Sequence, residues 1–212
     1  MDFAPNTIYH IYNQGNNRDR VFFQEKNYTF FLQKMRTYLL PYGHFLCYCL
    51  MPNHFHWLFY VERLAIPIEN EGENQPLVST KQSSLDAEEA SGRSTEKERT
   101  LNNAIAIVLR SYTQAVNKQE GRSGAIFRPH TKAKDGWEDP NLPPWHPQSQ
   151  LVLKNWEIYG STCFHYIHNN PVKAGLVAEA TQWPWSSASD FAGIRNGSLC
   201  NQPLAKKLLQ LP

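Results

Sequence analysis

The stretch 44–61 constrains this chain more than any other, because His44–Leu50 and His54–Val61 are two aromatic-rich runs separated only by Met51-Pro52-Asn53. Such runs bounded by turn formers read as the strands of a β-hairpin. A lone hairpin is only marginally stable, so its apolar side must be covered by further strands and helices. The flanking periodicities supply them. Ile8–Asn13 is β-branched and aromatic and reads as a strand, followed by a turn at Gly15-Asn16-Asn17. Tyr28, Phe31, Leu32, Met35 and Leu39 recur at helical spacing behind Asn27, a good cap residue, and Pro41 follows the last turn. Leu101, Ile105, Val108, Tyr112 and Val116 line a second helix ending near Gly121. A third helix is predicted from about Leu151 to Asn170, stopped by Pro171, whose ring disfavours the α conformation before it and removes a donor. Strand, helix, strand, strand, helix and a later strand or helix fit an α+β fold. The expected form is a ferredoxin-like split βαβ with an antiparallel sheet and helices packed on it.

At roughly 100–200 residues per domain, the 212 residues make one domain over 1–212. Segment 66–100 holds eight acids and four bases, is rich in Ser and Glu and lacks aromatics. It buries too little apolar surface to offset its ordering entropy, so a largely mobile surface insertion is expected. The remaining residues carry 17 bases against 11 acids, a moderately basic body compatible with a nucleic-acid ligand. Asp135–Gln150 contains Pro140, Pro143, Pro144 and Pro147 and is expected to be a loop. The longest apolar run, Phe45 to Pro52, falls far short of the ~20 residues of a membrane helix, and Met1–His10 has no signal-like pattern. A cytoplasmic protein without a membrane partner is expected, with Cys47, Cys49, Cys163 and Cys200 as reduced thiols.

Chemistry is expected where polar side chains converge. On a strand, His54 and His56 project to one face while Phe55 and Trp57 point the other way into the core. Two convergent imidazoles make half a metal site and suit several divalent cations. A rival reading joins Cys47 and Cys49 to the same histidines as a closed zinc site. A three-residue connection at Met51–Asn53 puts both cysteines on the opposite sheet face, and an even-residue loop reverses that. Tyr166 and Asn170, four positions apart, stack about 6 Å apart along the axis of the third helix, so a phenol and an amide oxygen can approach one site. The plainer reading makes Tyr166 a core aromatic and Asn170 a helix-terminal residue. His165 and His168 read as surface or packing residues.

Five segments together resemble one family. They are Tyr9–Arg18 (YHIYNQGNNR), Tyr48–His56 (YCLMPNHFH), Gly121–Gly124 (GRSG), Tyr166–Val177 (YIHNNPVKAGLV) and Trp183–Ser187 (WPWSS). In this order they resemble the REP-associated tyrosine transposases, single-tyrosine members of the HUH endonuclease superfamily. The similarity runs from about Ile8 to Phe191 and skips the acidic insertion. Phe127–Lys134 (FRPHTKAK) departs from the Gln-Gly-Arg type sequence of many relatives.

The resemblance implies the HUH endonuclease fold and a metal-dependent endonuclease and strand transferase acting on single-stranded DNA beside palindromic repeat hairpins. It implies Tyr166 as the nucleophile and His54, His56 and Asn170 as ligands of a divalent metal, Mg²⁺ or Mn²⁺. A mixed nitrogen and oxygen set suits Mn²⁺ more naturally. Attack by Tyr166 leaves a 5′-phosphotyrosine link that conserves the phosphodiester bond energy, consistent with a chain that has no GxxxxGK[ST] phosphate loop. Arg18, Arg20, Arg122, Arg128, Lys132, Lys134 and Lys173 are candidate phosphate contacts. The chain is expected to act as a monomer or homodimer. The alternative is a non-catalytic hairpin-binding module that retains the fold.

Overall fold

The computed structural model of the chain describes residues 1–68, 97–135 and 156–211. Strands β1 (Thr7–Gln14), β2 (Gly43–Met51), β3 (His54–Val61) and β6 (Lys132–Asp135) form one sheet in the order β2-β3-β1-β6, every neighbouring pair antiparallel. Helix α1 (Glu25–Leu39) connects β1 to β2, and α2 (Leu101–Glu120) lies between β3 and β6. β3 is thus inserted between β1 and β2, the expected ferredoxin-like split βαβ. Helices α3 (Trp156–Lys173), α4 (Ala188–Phe191) and α5 (Gln202–Leu209) follow. No helix among the described residues is long and apolar enough to cross a membrane.

Each face of the sheet is covered by its own helices. Tyr9, Ile11, Phe45, Tyr48, Leu50, Phe55, Trp57 and Phe59 pack in one apolar cluster with Phe31 and Met35 of α1 and Ile105, Val108 and Tyr112 of α2. On the other face, Leu46, Cys47, Cys49, Met51 and Leu58 pack under Cys163, Phe164 and Ile167 of α3 and Ala205 and Leu209 of α5. Leu46 and Cys47 share a face because the β2–β3 register shifts between Phe45 and Cys47, a bulge that lets two residues of one strand oppose one of the other.

Three expectations need correction. The hairpin turns on Pro52-Asn53 alone, so Met51 pairs with His54 and Cys49 pairs with His56. The even-residue loop therefore applies, and the cysteines lie on the histidines' side of the sheet. Asn27 does not precede α1. It occupies the third helical position, where its Oδ1 accepts from the backbone N–H groups of Phe23 and Gln24 at 3.1 and 2.9 Å. Pro171 does not end α3, because in the last turn it forfeits a single backbone bond. The helix stops at Gly175 (φ 68°), where Leu176 N–H donates to Pro171 O and Gly175 N–H to Val172 O, the paired bonds of a left-handed glycine cap. The two ends of the acidic insertion meet, β4 (Ala65–Pro67) pairing with β5 (Glu98–Thr100) as an antiparallel ribbon. The expected mobility of its middle, the first turns of the third helix and the loop after Asp135 lie outside the described residues.

Candidate active site

The site begins at the Pro52-Asn53 turn, which is tied down by three backbone hydrogen bonds. Gly15 N–H donates to Asn53 O at 2.8 Å, and the N–H groups of Val21 and Phe22 donate to Pro52 O at 2.8 and 3.0 Å. A side chain at Gly15 would meet the Asp19 carbonyl oxygen, so only glycine lets the loop fold back this tightly. From the turn, β3 alternates. Phe55 and Trp57 stack at 4.2 Å between ring centroids, both fully buried against α1 and α2, while His54 and His56 face α3 with centroids 5.0 Å apart.

Register then decides what surrounds the imidazoles. Tyr12 lies opposite His56 on β1, and Gln14 lies opposite His54. His54 Nδ1 sits 2.6 Å from Asn53 Oδ1, and Asn53 Nδ2 donates to Arg18 O at 3.1 Å, which fixes the amide's orientation. An amide oxygen only accepts, so His54 carries its proton on Nδ1 and leaves Nε2 bare. His56 Nδ1 lies 2.8 Å from His10 Nε2, with both rings buried. Burial pushes the His54 imidazole down to about 4 and the His10 imidazole, with help from Lys134, also to about 4. Burial, followed by the neighbouring His10 and His54, takes His56 down to about 2. All three rings are neutral at physiological pH, the state in which imidazole binds metal.

Tyr166 approaches from above. Helix α3 seats Cys163, Phe164 and Ile167 in the apolar layer, and Tyr166 stands at the edge of that stripe with 40% of its surface exposed. Its ring centroid lies 5.5 Å from that of His56 and 6.1 Å from that of His10, edge-on to both. Lys173 Nζ lies 5.1 Å from the same ring centroid, one cation over the phenol.

The segment Trp183–Ser187 holds this helix in place. Trp183 Nε1–H donates to Leu50 O at 2.9 Å, Leu50 N–H to Trp185 O at 2.9 Å and Ser187 N–H to Tyr48 O at 3.0 Å, lacing the segment to the edge of β2. Ser187 Oγ also meets the buried His168 Nε2 at 2.8 Å, so α3 is hydrogen-bonded to the strap that covers the sheet edge. His168 is a packing residue beneath Phe164 and Phe191, while His165 is exposed.

Tyr12, Gln14, His54, His56 and Tyr166 line a cleft of about 240 Å³, and Arg128, His130 and Lys132 line it with them. Lys134 lies opposite His10 in the sheet register. Of the other candidate basic residues, Arg18, Arg20 and Arg122 are exposed and lie outside the cleft lining. Asn170 also lies outside it, its Nδ2 donating to Tyr166 O at 3.0 Å one turn back. Sequence reasoning passed over His10, Tyr12, Gln14 and His130. The signal for the first three was present, since alternation puts His10, Tyr12 and Gln14 on one face of β1.

Among the described residues, no group of three or more His, Cys, Asp or Glu side chains can hold a metal ion. Cys49 faces the histidines' side of the sheet but is buried beside Ser186, so the four-ligand zinc site does not form despite the corrected register. The residues present fit a different donor set: two neutral imidazoles line one cleft together with Gln14, whose side-chain oxygen is a hard donor.

No family model matches the chain, and no curated protein matches it. Among solved structures, that of a REP-associated tyrosine transposase bound to a REP hairpin matches with a TM-score of 0.51. The match covers 95% of this chain and 94% of that chain, at 11% sequence identity. The chain shares the fold of that transposase. At 11% identity the likeness carries the fold, and the chemistry rests on the residues in the cleft.

Proposed function

We propose that the protein, as one domain over 1–212, cleaves and rejoins single-stranded DNA beside palindromic hairpins, with Tyr166 as the nucleophile. One observation carries this reading: an exposed phenol stands 5.5 Å from the ring of His56 in a cleft that also holds His54 and is lined by Arg128 and Lys132. The phenol and both imidazoles meet within one chain, so the reading needs no second copy.

His54 and His56 would hold a divalent cation, Mg²⁺ or Mn²⁺, which when bound polarises the scissile phosphate and offsets its developing charge. Arg128 and Lys132 bind neighbouring phosphates and set the strand's path across the cleft. Tyr12 offers an aromatic face on which an unpaired base stacks. The Tyr166 oxygen attacks phosphorus as the phenolic proton leaves to water. The bond from phosphorus to the 3′-oxygen breaks, and that oxygen takes up a proton. The protein then carries the 5′ end on Tyr166, and attack by a 3′-hydroxyl on this link reseals a strand without ATP. Asn170 would join the ligand set through its side-chain oxygen, since its Nδ2 is the atom that donates to the Tyr166 carbonyl.

A non-catalytic hairpin-binding module is favoured by one observation, the absence of a third side-chain ligand of the His, Cys, Asp or Glu type among the described residues. A labelled single-stranded oligonucleotide with a palindromic hairpin, incubated with the protein and Mn²⁺, separates the two. The enzyme reading predicts a denaturation-resistant protein–DNA adduct that Tyr166→Phe abolishes while hairpin binding stays nearly intact. Binding without any adduct in the parent protein supports the module.

A further inference from the structure

We propose that His10 is a positioning residue for the cation site: its Nε2 accepts a hydrogen bond from His56 Nδ1–H, which leaves His56 Nε2 bare toward the cleft. This rests on the proposed metal-holding role of His54 and His56. A neutral imidazole carries one proton on one of two nitrogens, and only the other can donate a lone pair to a cation. For His54 that choice is made by Asn53 Oδ1 at 2.6 Å, which has no proton to give. His56 has a subtler partner. Its Nδ1 faces His10 Nε2 at 2.8 Å, and two imidazoles can run that bond in either direction.

Only one direction serves the cleft. With the proton on His56 Nδ1, His10 accepts and His56 Nε2 is free. With the proton on His10 Nε2, His56 must protonate Nε2 and cannot bind a cation. The accepted direction requires His10 to carry its own proton on Nδ1. Trp57 Nε1 and Asn117 Oδ1 are the buried side-chain polar atoms without a partner among the described residues, so His10 Nδ1 is not stranded by this choice. The arrangement also holds the ring in place, since His10 lies tilted between Tyr12 at 5.0 Å and His56 at 5.0 Å. Each histidine of the pair is thus oriented by a different acceptor, a backbone-anchored amide for one and a β1 imidazole for the other. Groups that orient metal-binding histidines in this way typically change affinity 10- to 100-fold when removed.

The tautomer of His56 is read in the metal-free parent protein by ¹⁵N NMR of the histidine rings, and Mn²⁺ affinity is measured by electron paramagnetic resonance. The proposal expects His56 protonated on Nδ1, Mn²⁺ affinity about 10- to 100-fold weaker in His10→Phe, and most of it restored in His10→Gln, whose side-chain oxygen accepts the same bond. His56 protonated on Nε2 in the parent protein overturns it, as does wild-type Mn²⁺ affinity in a folded His10→Phe. Should His10→Phe fail to fold, the parent tautomer and the His10→Gln affinity decide. Failure of the underlying reading looks different: unchanged Mn²⁺ affinity in His54→Ala removes the cation site itself, whatever tautomer His56 adopts.

Discussion

The two faces of the sheet are built from the same strands and do opposite work. Toward α1 and α2, Phe55 and Trp57 are fully buried in a dry aromatic core. Toward α3, the alternate residues divide by position. Cys47, Cys49 and Leu58 are sealed under the helix, while His54 and His56 open into a cleft with Tyr12, Gln14 and Tyr166. A period of two lets one strand stabilise the fold through one face and place polar side chains in a cleft on the other, so the core and the candidate site come from adjacent residues.

The largest effect that sharpens this contrast comes from its core side. Trp57→Ala is expected to cost about 3–5 kcal/mol in urea unfolding, whereas His54→Ala should cost less than about 1 kcal/mol. Equal losses from the two would show that the faces do not divide stability from function.

Next comes the seam between strap and helix. Burial pushes the His168 imidazole down to about 3, while an unfolded histidine protonates near 6.5. The unfolded chain therefore takes up a proton that the folded chain refuses. Stability is complete above pH 6.5 and declines as pH falls through the window from 6.5 toward 3. For this residue the loss is about 1 kcal/mol between pH 6 and 5. His168→Gln should make the decline shallower by that amount in urea titrations at pH 7, 6 and 5, the rest remaining with His10, His54 and His56, and an unchanged slope would remove His168 from the pH sensitivity.

The smallest effect tests the cleft lining. Lys132→Ala should reduce the salt dependence of hairpin binding by about 0.7 in the slope of log affinity against log salt, the value for one lost single-strand phosphate contact. An identical slope would remove Lys132 from the DNA path.

How much of this was legible depended on which physical signal specified it. The hairpin and the apolar stripes of α1 and α2 were readable because spacing alone reports a buried face. Strand register was not, because whether Met51 belongs to the strand or the turn decides which face Cys49 takes, and composition leaves that open. The end of α3 was misplaced because Pro171 sits where the helix can spare a donor, and the left-handed cap at Gly175 sets the true stop. At the site, the shared face of His54 and His56 followed from alternation. The His10 contact did not, because it is made across the β1–β3 pairing and needs the register that the sequence withholds.

In the proposed reaction the Tyr166 phenol attacks phosphorus. After reaction with a hairpin-bearing single strand and Mn²⁺, protease digestion and mass spectrometry of the linked peptide locate the attachment. The expected product carries a 5′-phosphate on Tyr166, within the α3 peptide. Attachment to Tyr12, the other phenol in the cleft, or no covalent product under conditions where the hairpin binds, would contradict it.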